Sequence, residues 1–201
     1  MKLLDIGCGW GGFAKYAAKK YKVSIVGLTV SGEQAKFARG FCKGLPVTIK
    51  LTDYRNFNGK FDRIVSLGMF EHVGCKNYRN YMKKAEEFLK NDGLFLLHTI
   101  GSNVSTKSGD QWLEKYIFPN GKIPSMKQIS SVAEGIFVME DIHNFGADYD
   151  KTLMAWHKNF DKNWSKLKSK QTQEFYRMWN YYLLSCAALF RARETQLWQI
   201  V

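Results

Sequence analysis

The chain of 201 residues has few cysteines, few acidic residues and no long apolar run. Its four cysteines are neither paired at metal-ligand spacing nor dense enough for a disulfide framework. The longest apolar stretch, at 183–190, is too short to cross a bilayer. No signal peptide is evident, because the first residues already read as a buried strand. We therefore expect a soluble, intracellular protein with reduced thiols and no metal site.

Acidic residues are outnumbered, since 18 Asp and Glu stand against 30 Lys and Arg, a formal net charge of +12. Such an excess favours an anionic partner, which makes nucleic acid, an acidic protein and an anionic membrane surface candidates. A basic surface that serves only solubility is the alternative. Nucleic acid is the weaker candidate, because no recognition helix or RNA-binding signature is visible and the aromatic residues fall mainly at helical core spacing.

Strand and helix patterns alternate along the chain. Apolar runs predict strands at 2–6, 24–28, 47–51, 63–67, 94–100, 136–142 and 197–201. Helical periodicity predicts helices at 12–20, 32–42, 77–89, 152–164 and 172–193, and the polar stretch at 102–134 predicts a loop-and-helix insertion. The alternation predicts one α/β domain over residues 1–201, with a seven-stranded, mostly parallel sheet and helices on both faces.

A glycine-rich turn follows the first predicted strand, in the segment LLDIGCGWGG at 3–12. Gly7 and Gly9 can adopt positive φ and lack a Cβ, so a ligand can approach the backbone beside a helix N-terminus. A dinucleotide site would place its acid about 20 residues after the glycines. Here Asp5 precedes them, as in the first motif of class I methyltransferases that use S-adenosylmethionine. A tight turn that binds nothing is the alternative.

Longer segments closely resemble the cyclopropane-fatty-acyl-phospholipid synthase family, with the related mycolic acid cyclopropane synthases. The matching segments, in family order, are LLDIGCGWGGFAKYAA, VGLTVSGEQ, TDYRNFNGKFDRIVSLGMFEHVGCKNY, LFLLHTIGS, NFGADYDKTLMAWHKNF and CAALFRARETQLWQ. They cover nearly all of the chain, and FEHVG and FRARETQLWQ are far more specific than a glycine turn. The resemblance implies a Rossmann-like class I fold and transfer of a methylene from S-adenosylmethionine across a cis double bond of a phospholipid acyl chain.

The resemblance also implies a bound bicarbonate as the base, held by Glu71, His98, the backbone N–H of Ile100 and Tyr149. The predicted topology agrees, because Glu71, His98 and Tyr149 lie at or after strand ends on the carboxyl edge of the sheet. Glu71 beside an anion requires a shared proton or a protonated carboxyl, which burial would favour. The alternatives are that Glu71 is a first-turn acid of a helix and that His98 is a core histidine.

Cys186 matches a family cysteine that has been considered catalytic. It lies on an apolar stripe of the last predicted helix, with Phe175, Trp179, Tyr182 and Phe190 at helical spacing. A buried, inert thiol with a raised pKa is the simpler interpretation, since attack by an alkene needs no thiolate. The stripe is interpreted as core packing or as a wall for a long apolar substrate, and these two interpretations are compatible.

The same matching predicts the residues that contact S-adenosylmethionine: Asp5, Gly7, Gly9, Thr29, Gln34, Tyr54 and Arg55. Asp5 suits the cationic amino-acid end of the cofactor, Gln34 suits the ribose, and Tyr54 suits stacking on the adenine. A plain turn at 29–34 is the alternative for that segment.

Relatives carry a segment before the first strand that helps to cover the cofactor, and this sequence begins within that strand. We therefore expect low or no activity from these 201 residues by themselves, which robust turnover would contradict. The implied partners are an unsaturated phospholipid and the anionic inner face of the membrane, where a cytoplasmic protein would bind peripherally. The oligomeric state is open, with a homodimer among the alternatives. Another S-adenosylmethionine-dependent methyltransferase and an inactive lipid-binding remnant are the rival functions.

Overall fold

A computed structural model describes residues 1–106 and 109–201. Its sheet has seven strands in the order β3-β2-β1-β4-β5-β7-β6. The strands are β1 (Lys2–Ile6), β2 (Ser24–Thr29), β3 (Val47–Leu51), β4 (Phe61–Leu67), β5 (Leu89–Ser102), β6 (Ile142–Asn144) and β7 (Thr195–Ile200). The first five are parallel, whereas β7 runs antiparallel to β5 and β6. The predicted seven-stranded, mostly parallel sheet is confirmed.

Seven α-helices surround the sheet in the described residues. They are α1 (Gly12–Tyr21), α2 (Gly32–Phe41), α3 (Tyr78–Phe88), α4 (Gln111–Tyr116), α5 (Met126–Ala133), α6 (Gly146–Leu167) and α7 (Gln173–Arg191). Polar residues cap the N-termini of several of these helices. Ser31 caps α2, Thr172 caps α7, and Ser125 forms a capping box with Gln128 at the start of α5. Helices α4 and α5 lie in the predicted insertion, of which residues 107 and 108 fall outside the described part.

Both faces of the sheet are buried, as an α/β fold requires. Alternate residues of β1 point to opposite faces, so Leu3 packs with Ala14 and Ala17 of α1. Leu4 belongs to the core on the other face, which contains Tyr81 of α3. The small alanines of α1 let that helix approach the sheet closely.

The hairpin formed by α6 and α7 packs against β7 at the end of the sheet. Leu153 of α6 and Leu183, Ala187 and Phe190 of α7 are buried there with Leu197 of β7. The apolar stripe predicted on the last helix is therefore at least partly core. This packing covers the part of the sheet that contains the antiparallel strand β7.

The predicted strand at 136–142 is wrong, because the sixth strand of the structure is Ile142–Asn144. The N–H groups of Ile136 and Phe137 both donate to the carbonyl of Ala133, which turns the chain at the end of α5. Both side chains then pack against the main core as irregular backbone. The apolar run therefore reflects burial without strand pairing.

Helix α6 begins at Gly146, six residues before the predicted start. Asn144 Oδ1 accepts a hydrogen bond from the Gly146 N–H at 2.9 Å, and the Phe145 N–H donates to the Leu197 carbonyl at 2.7 Å. The bond from Phe145 anchors the start of the helix to β7, and the bond to Asn144 caps its first turn. Tyr149 consequently lies in the first turn of α6.

Within residues 1–106 and 109–201, no helix is both long enough and apolar enough to cross a membrane.

Candidate active site at the carboxyl edge of the sheet

An open cleft of about 580 Å³ lies where β1, β2 and β4 end. Ligands of open α/β sheets bind at this edge, because the loops that follow the strands converge there. The lining includes six of the predicted cofactor residues: Gly7, Gly9, Thr29, Gln34, Tyr54 and Arg55. The structure therefore brings three separated segments of the sequence to one cavity.

Gly7 and Gly9 shape the floor of the cleft for different reasons. Both have positive φ, 85° and 52°, which disfavours other residues. A Cβ on Gly7 would lie 2.7 Å from Met69 Cγ, so a side chain there would collide with the turn after β4. A Cβ on Gly9 would meet nothing within 4 Å. Gly9 therefore leaves open space beside the backbone.

Asp5 lies beneath the glycine turn and is not among the described residues that line the cleft. Its side chain is 1% exposed, and its Oδ2 has no hydrogen-bond partner. Burial raises the pKa of Asp5 to about 7. The predicted contact of Asp5 with the amino-acid end of the cofactor stays a prediction.

The segment after β2 is organised by its own hydrogen bonds. Thr29 Oγ1 donates to Gln34 Oε1 at 2.7 Å and accepts from the Ser31 N–H at 3.2 Å. Ser31 Oγ in turn accepts from the Gln34 N–H at the start of α2. These bonds hold the Gln34 amide at the cleft, where an amide suits the hydroxyls of a ribose.

Asp53 is a cleft residue that the sequence interpretation missed. Arg55 donates to it through Nε at 2.9 Å and through Nη2 at 2.6 Å, and this bidentate contact holds the pKa of Asp53 below its usual range. Tyr54 lies between them in sequence and packs edge-on against Tyr81, with ring centroids 5.1 Å apart. The Tyr54 ring is thereby fixed at the cleft.

The turn after β4 supplies further residues that the sequence interpretation missed. Gly68, Met69, His72, Val73 and Asn77 also line the cleft. Their position in the sequence could have identified them, because they follow a strand that ends at the edge of the sheet where ligands bind. Only Glu71 was selected from this turn.

Glu71 belongs to a second, buried region next to the cleft. Its Oε1 accepts a hydrogen bond from the Ile100 N–H at 2.7 Å, whereas its buried Oε2 has no partner. Burial raises the pKa of Glu71, although the bond from Ile100 acts in the opposite direction. The Lys122 N–H donates to the Glu71 carbonyl at 2.8 Å, which ties the insertion to this turn.

His98 lies two residues before Ile100, on the same face of β5. Its Nδ1 is buried without a hydrogen-bond partner. Burial lowers the pKa of His98, which favours the neutral imidazole. Its carbonyl accepts from the N–H of Gly68, which lines the cleft.

Tyr149 and Cys186 pack in the same apolar cluster as Ile100. Burial is the main cause that raises the pKa of Tyr149, and the neighbouring Glu71 and Cys186 add to it. Burial also raises the pKa of Cys186 to about 11, so its thiol is protonated at neutral pH. The structure therefore brings Glu71, Ile100, Tyr149 and Cys186 together. The roles assigned to them stay predictions.

A family model described as mycolic acid cyclopropane synthetase matches residues 1–200. The chain belongs to this family. It is 57% identical over 201 residues to the cyclopropane-fatty-acyl-phospholipid synthase of Escherichia coli strain K12, covering 100% of this chain and 53% of that protein. The chain thus spans about half the length of that curated relative.

Two solved structures show how closely this member of the cyclopropane synthetase family keeps the fold. The cyclopropane synthase MmaA2 from Mycobacterium tuberculosis superposes with a TM-score of 0.92 at 30% identity, covering 100% of this chain and 76% of that chain. The mycolic acid cyclopropane synthase CmaA1 complexed with SAH and CTAB gives the same TM-score, identity and coverage. The predicted Rossmann-like class I methyltransferase fold is confirmed.

Proposed function

We propose that this chain transfers a methylene group from S-adenosylmethionine to the cis double bond of an unsaturated phospholipid acyl chain, forming a cyclopropane ring. One observation carries the proposal: two adjacent residues of the turn after β4 belong to two different regions. His72 lines the open cleft, and Glu71 bonds to Ile100 in the buried region. A cofactor and an acyl chain in these two regions would therefore meet at this turn.

The cleft residues fit S-adenosylmethionine. The open space at Gly9, the Gln34 amide and the Tyr54 ring suit the amino-acid end, the ribose and the adenine. SAH, the demethylated form of this cofactor, is present in the similar CmaA1 structure. When bound, S-adenosylmethionine would supply an electrophilic methyl group on a sulfonium.

The buried region fits a reaction that leaves positive charge on the acyl chain. The alkene acts as the nucleophile, so a carbon–carbon bond forms as the carbon–sulfur bond breaks. Aromatic rings can stabilise the resulting cation, and Tyr149 packs edge-on against Phe190 at 5.0 Å. The apolar side chains of Ile100, Leu183 and Cys186 exclude water that would quench the cation.

Ring closure then requires loss of a proton from the new methyl group. Glu71 Oε2 and His98 Nδ1 are buried polar atoms without partners, as expected of groups that contact a small polar ligand. Bicarbonate is the proposed ligand, and when bound it would supply the base. A protonated Glu71, favoured by its raised pKa, would donate to such an anion, with Tyr149 nearby.

A lipid substrate is supported by the net positive charge of the chain and by an apolar surface of α7. A net charge of +12 would attract anionic headgroups. The half-buried residues Trp179, Tyr182 and Cys186 present an apolar wall beside the site. The similarity to the E. coli cyclopropane-fatty-acyl-phospholipid synthase supports the same substrate class.

The test incubates the chain with S-adenosylmethionine and vesicles of unsaturated phosphatidylglycerol, and analyses the lipids by mass spectrometry. From these 201 residues we expect only a small yield of product, in which each modified acyl chain gains one CH2, loses its double bond and carries no methyl branch. Glu71→Gln and His98→Ala should lower turnover by about 100-fold, because each removes a group from the proton-transfer site. Calorimetry should show cofactor affinity within about threefold of the wild type for both.

Glu86→Gln on the exposed face of α3 is the matched control and should retain full turnover. Unchanged turnover in both Glu71→Gln and His98→Ala would remove the proposed proton-transfer site. A methyl-branched product that keeps its double bond would instead support a simple lipid methyltransferase.

A further inference from the structure

An exposed group of aromatic rings lies beside the cleft. Trp10 is 55% exposed, Phe37 52% and Phe41 41%. Trp10 packs edge-on against Phe37, and Phe37 stacks on Phe41, with centroids 5.5 Å apart in both pairs. Lys15 Nζ lies 3.5 Å from the centroid of Phe41. We call Trp10, Lys15, Phe37 and Phe41 the aromatic–basic surface.

The sequence around this surface is strongly basic. Residues 10–43 contain seven basic residues and one acid, Glu33, which gives a net charge of +6 from about a sixth of the chain. The basic residues are Lys15, Lys19, Lys20, Lys22, Lys36, Arg39 and Lys43. None of them takes part in the ion pairs found among residues 1–106 and 109–201. Their charge is therefore not neutralised by carboxylates of this chain.

Exposed large aromatic rings combined with cations that form none of the ion pairs described above match the chemistry of a membrane interface. Trp and other rings occupy the headgroup level of bilayers, and lysines are attracted to anionic lipids. A second copy of this chain fits less well, since a symmetric contact would place two surfaces of the same charge together. Charge complementarity thus favours an anionic lipid surface over self-association.

The position of the surface suits an enzyme that acts on lipids. Trp10 directly follows Gly9, which lines the cleft. Phe37 and Phe41 belong to α2, whose first turn carries the cleft residue Gln34. A bilayer at this surface would therefore lie close to the cleft mouth.

We propose that the aromatic–basic surface docks this chain on the headgroup region of an anionic phospholipid bilayer. The rings insert among the headgroups, and the lysines around them contact the phosphates. This inference rests on the lipid substrate of the proposed function. Its test measures binding without turnover, so the two can fail separately.

The experiment measures flotation of the full 201-residue chain with phosphatidylglycerol–phosphatidylcholine vesicles. The double variant Phe37→Gln/Phe41→Gln should bind these vesicles about tenfold more weakly, because two interfacial rings are lost. Glutamine preserves the helix, since its propensity exceeds that of phenylalanine. The matched control is Leu184→Gln/Leu189→Gln, which replaces two exposed apolar residues of α7 and should bind like the wild type.

A charge-reversal pair tests the basic component separately. Lys36→Glu/Lys43→Glu should also weaken binding about tenfold. Lys83→Glu/Lys127→Glu makes the same change in net charge on exposed sites of α3 and α5 and should have a much smaller effect. Circular dichroism confirms that each variant is folded.

Several results would overturn the proposal. The first is that the wild-type chain does not bind the vesicles. The second is that the Phe37→Gln/Phe41→Gln variant binds them as strongly as the wild type. The third is that the control variant Leu184→Gln/Leu189→Gln loses binding. A change of oligomeric state in that phenylalanine variant, with vesicle binding unchanged, would assign the surface to self-association. Binding of single-stranded DNA through the same residues, without vesicle binding, would assign it to nucleic acid.

Discussion

At the residue scale, two carboxyl groups are buried at the carboxyl edge of the sheet. Asp5 and Glu71 are both buried, and each keeps one carboxyl oxygen without a hydrogen-bond partner. An ionised carboxylate in such a place costs free energy, which is why burial raises both pKa values. Groups with strongly perturbed pKa values cluster at functional sites. The two residues are therefore the clearest candidates for a conflict between stability and activity.

Asp5→Asn should stabilise the chain above neutral pH. The pKa of Asp5 is about 7 in the folded chain, against an ordinary value of 3.8, so folding favours the protonated form. Stability contributed by this proton is present below pH 4 and is lost as the pH rises towards 7. At pH 8 the variant avoids a buried charge and should gain at most about 4 kcal/mol in unfolding free energy.

Thermal or urea denaturation at pH 8 and at pH 4.5 measures this difference, which should shrink at the lower pH. Asp141→Asn, at an exposed site, is the control and should change little at either pH. The predicted role of Asp5 adds an opposite effect, since cofactor affinity should fall in Asp5→Asn. An Asp5→Asn chain less stable than the wild type at pH 8 would show that the carboxylate is held by a favourable interaction.

At the element scale, the junction of β5 and β7 positions the buried part of the site. Ile100 pairs with Leu197, and the next residue of β5, Gly101, pairs with Gln196. A Cβ on Gly101 would collide with the ring of Trp198, which fills the space that glycine leaves. Trp198 is itself 5% exposed and belongs to the main core. The Glu71–Ile100 hydrogen bond thus depends on a close contact between strands and a large ring.

Gly101→Ala should destabilise the chain by about 3 kcal/mol, because the added methyl group overpacks this contact. Its melting temperature should fall, and turnover should fall with it as Ile100 shifts relative to Glu71. Gly40→Ala is the matched control, since nothing lies within 4 Å of a Cβ at this site in α2. That control should stabilise the chain by about 0.5–1 kcal/mol through helix propensity. Equal melting temperatures for both variants would contradict the packing argument.

At the scale of the whole molecule, the dominant feature is the unbalanced charge. The net charge is +12, and five ion pairs are found among residues 1–106 and 109–201. All five involve partly exposed side chains, where screening by solvent keeps each contribution small. The folded chain therefore carries a net self-repulsion that solution ions can reduce.

Raising sodium chloride from about 50 mM to about 500 mM should increase the melting temperature, because screening weakens this repulsion. Lys36→Glu/Lys43→Glu should melt at a higher temperature than the wild type at low salt and respond less to added salt. Differential scanning calorimetry measures both effects, with potassium chloride as the control for ion identity. A melting temperature that falls with salt would show that attractive charge pairs outweigh the repulsion.

Vesicle binding belongs to the same scale, because it uses the summed charge of a surface. Binding of the wild-type chain to anionic vesicles should weaken strongly between about 50 mM and about 500 mM salt. Binding to pure phosphatidylcholine vesicles should be weak and nearly independent of salt. Equal affinity at both salt concentrations would exclude an electrostatic contribution to docking.

The amino-acid sequence by itself determined the features that local chemistry controls. Positive φ at Gly7 and Gly9, the amphipathic helices α1–α3 and the parallel strands follow from residue types at short spacing. Six of the seven cofactor residues predicted from the family resemblance line one cleft, because the segments that carry them lie at or after the ends of β1, β2 and β3.

Only the tertiary structure decided what depends on distant pairing. The Glu71–Ile100 bond joins residues 29 apart, and the buried position of Asp5 depends on the layers packed around β1. The run at 136–142 could not be separated from a strand by its apolar pattern, because buried irregular backbone and buried strands have the same composition. Contacts between segments are set by how the whole core packs, which no local pattern encodes.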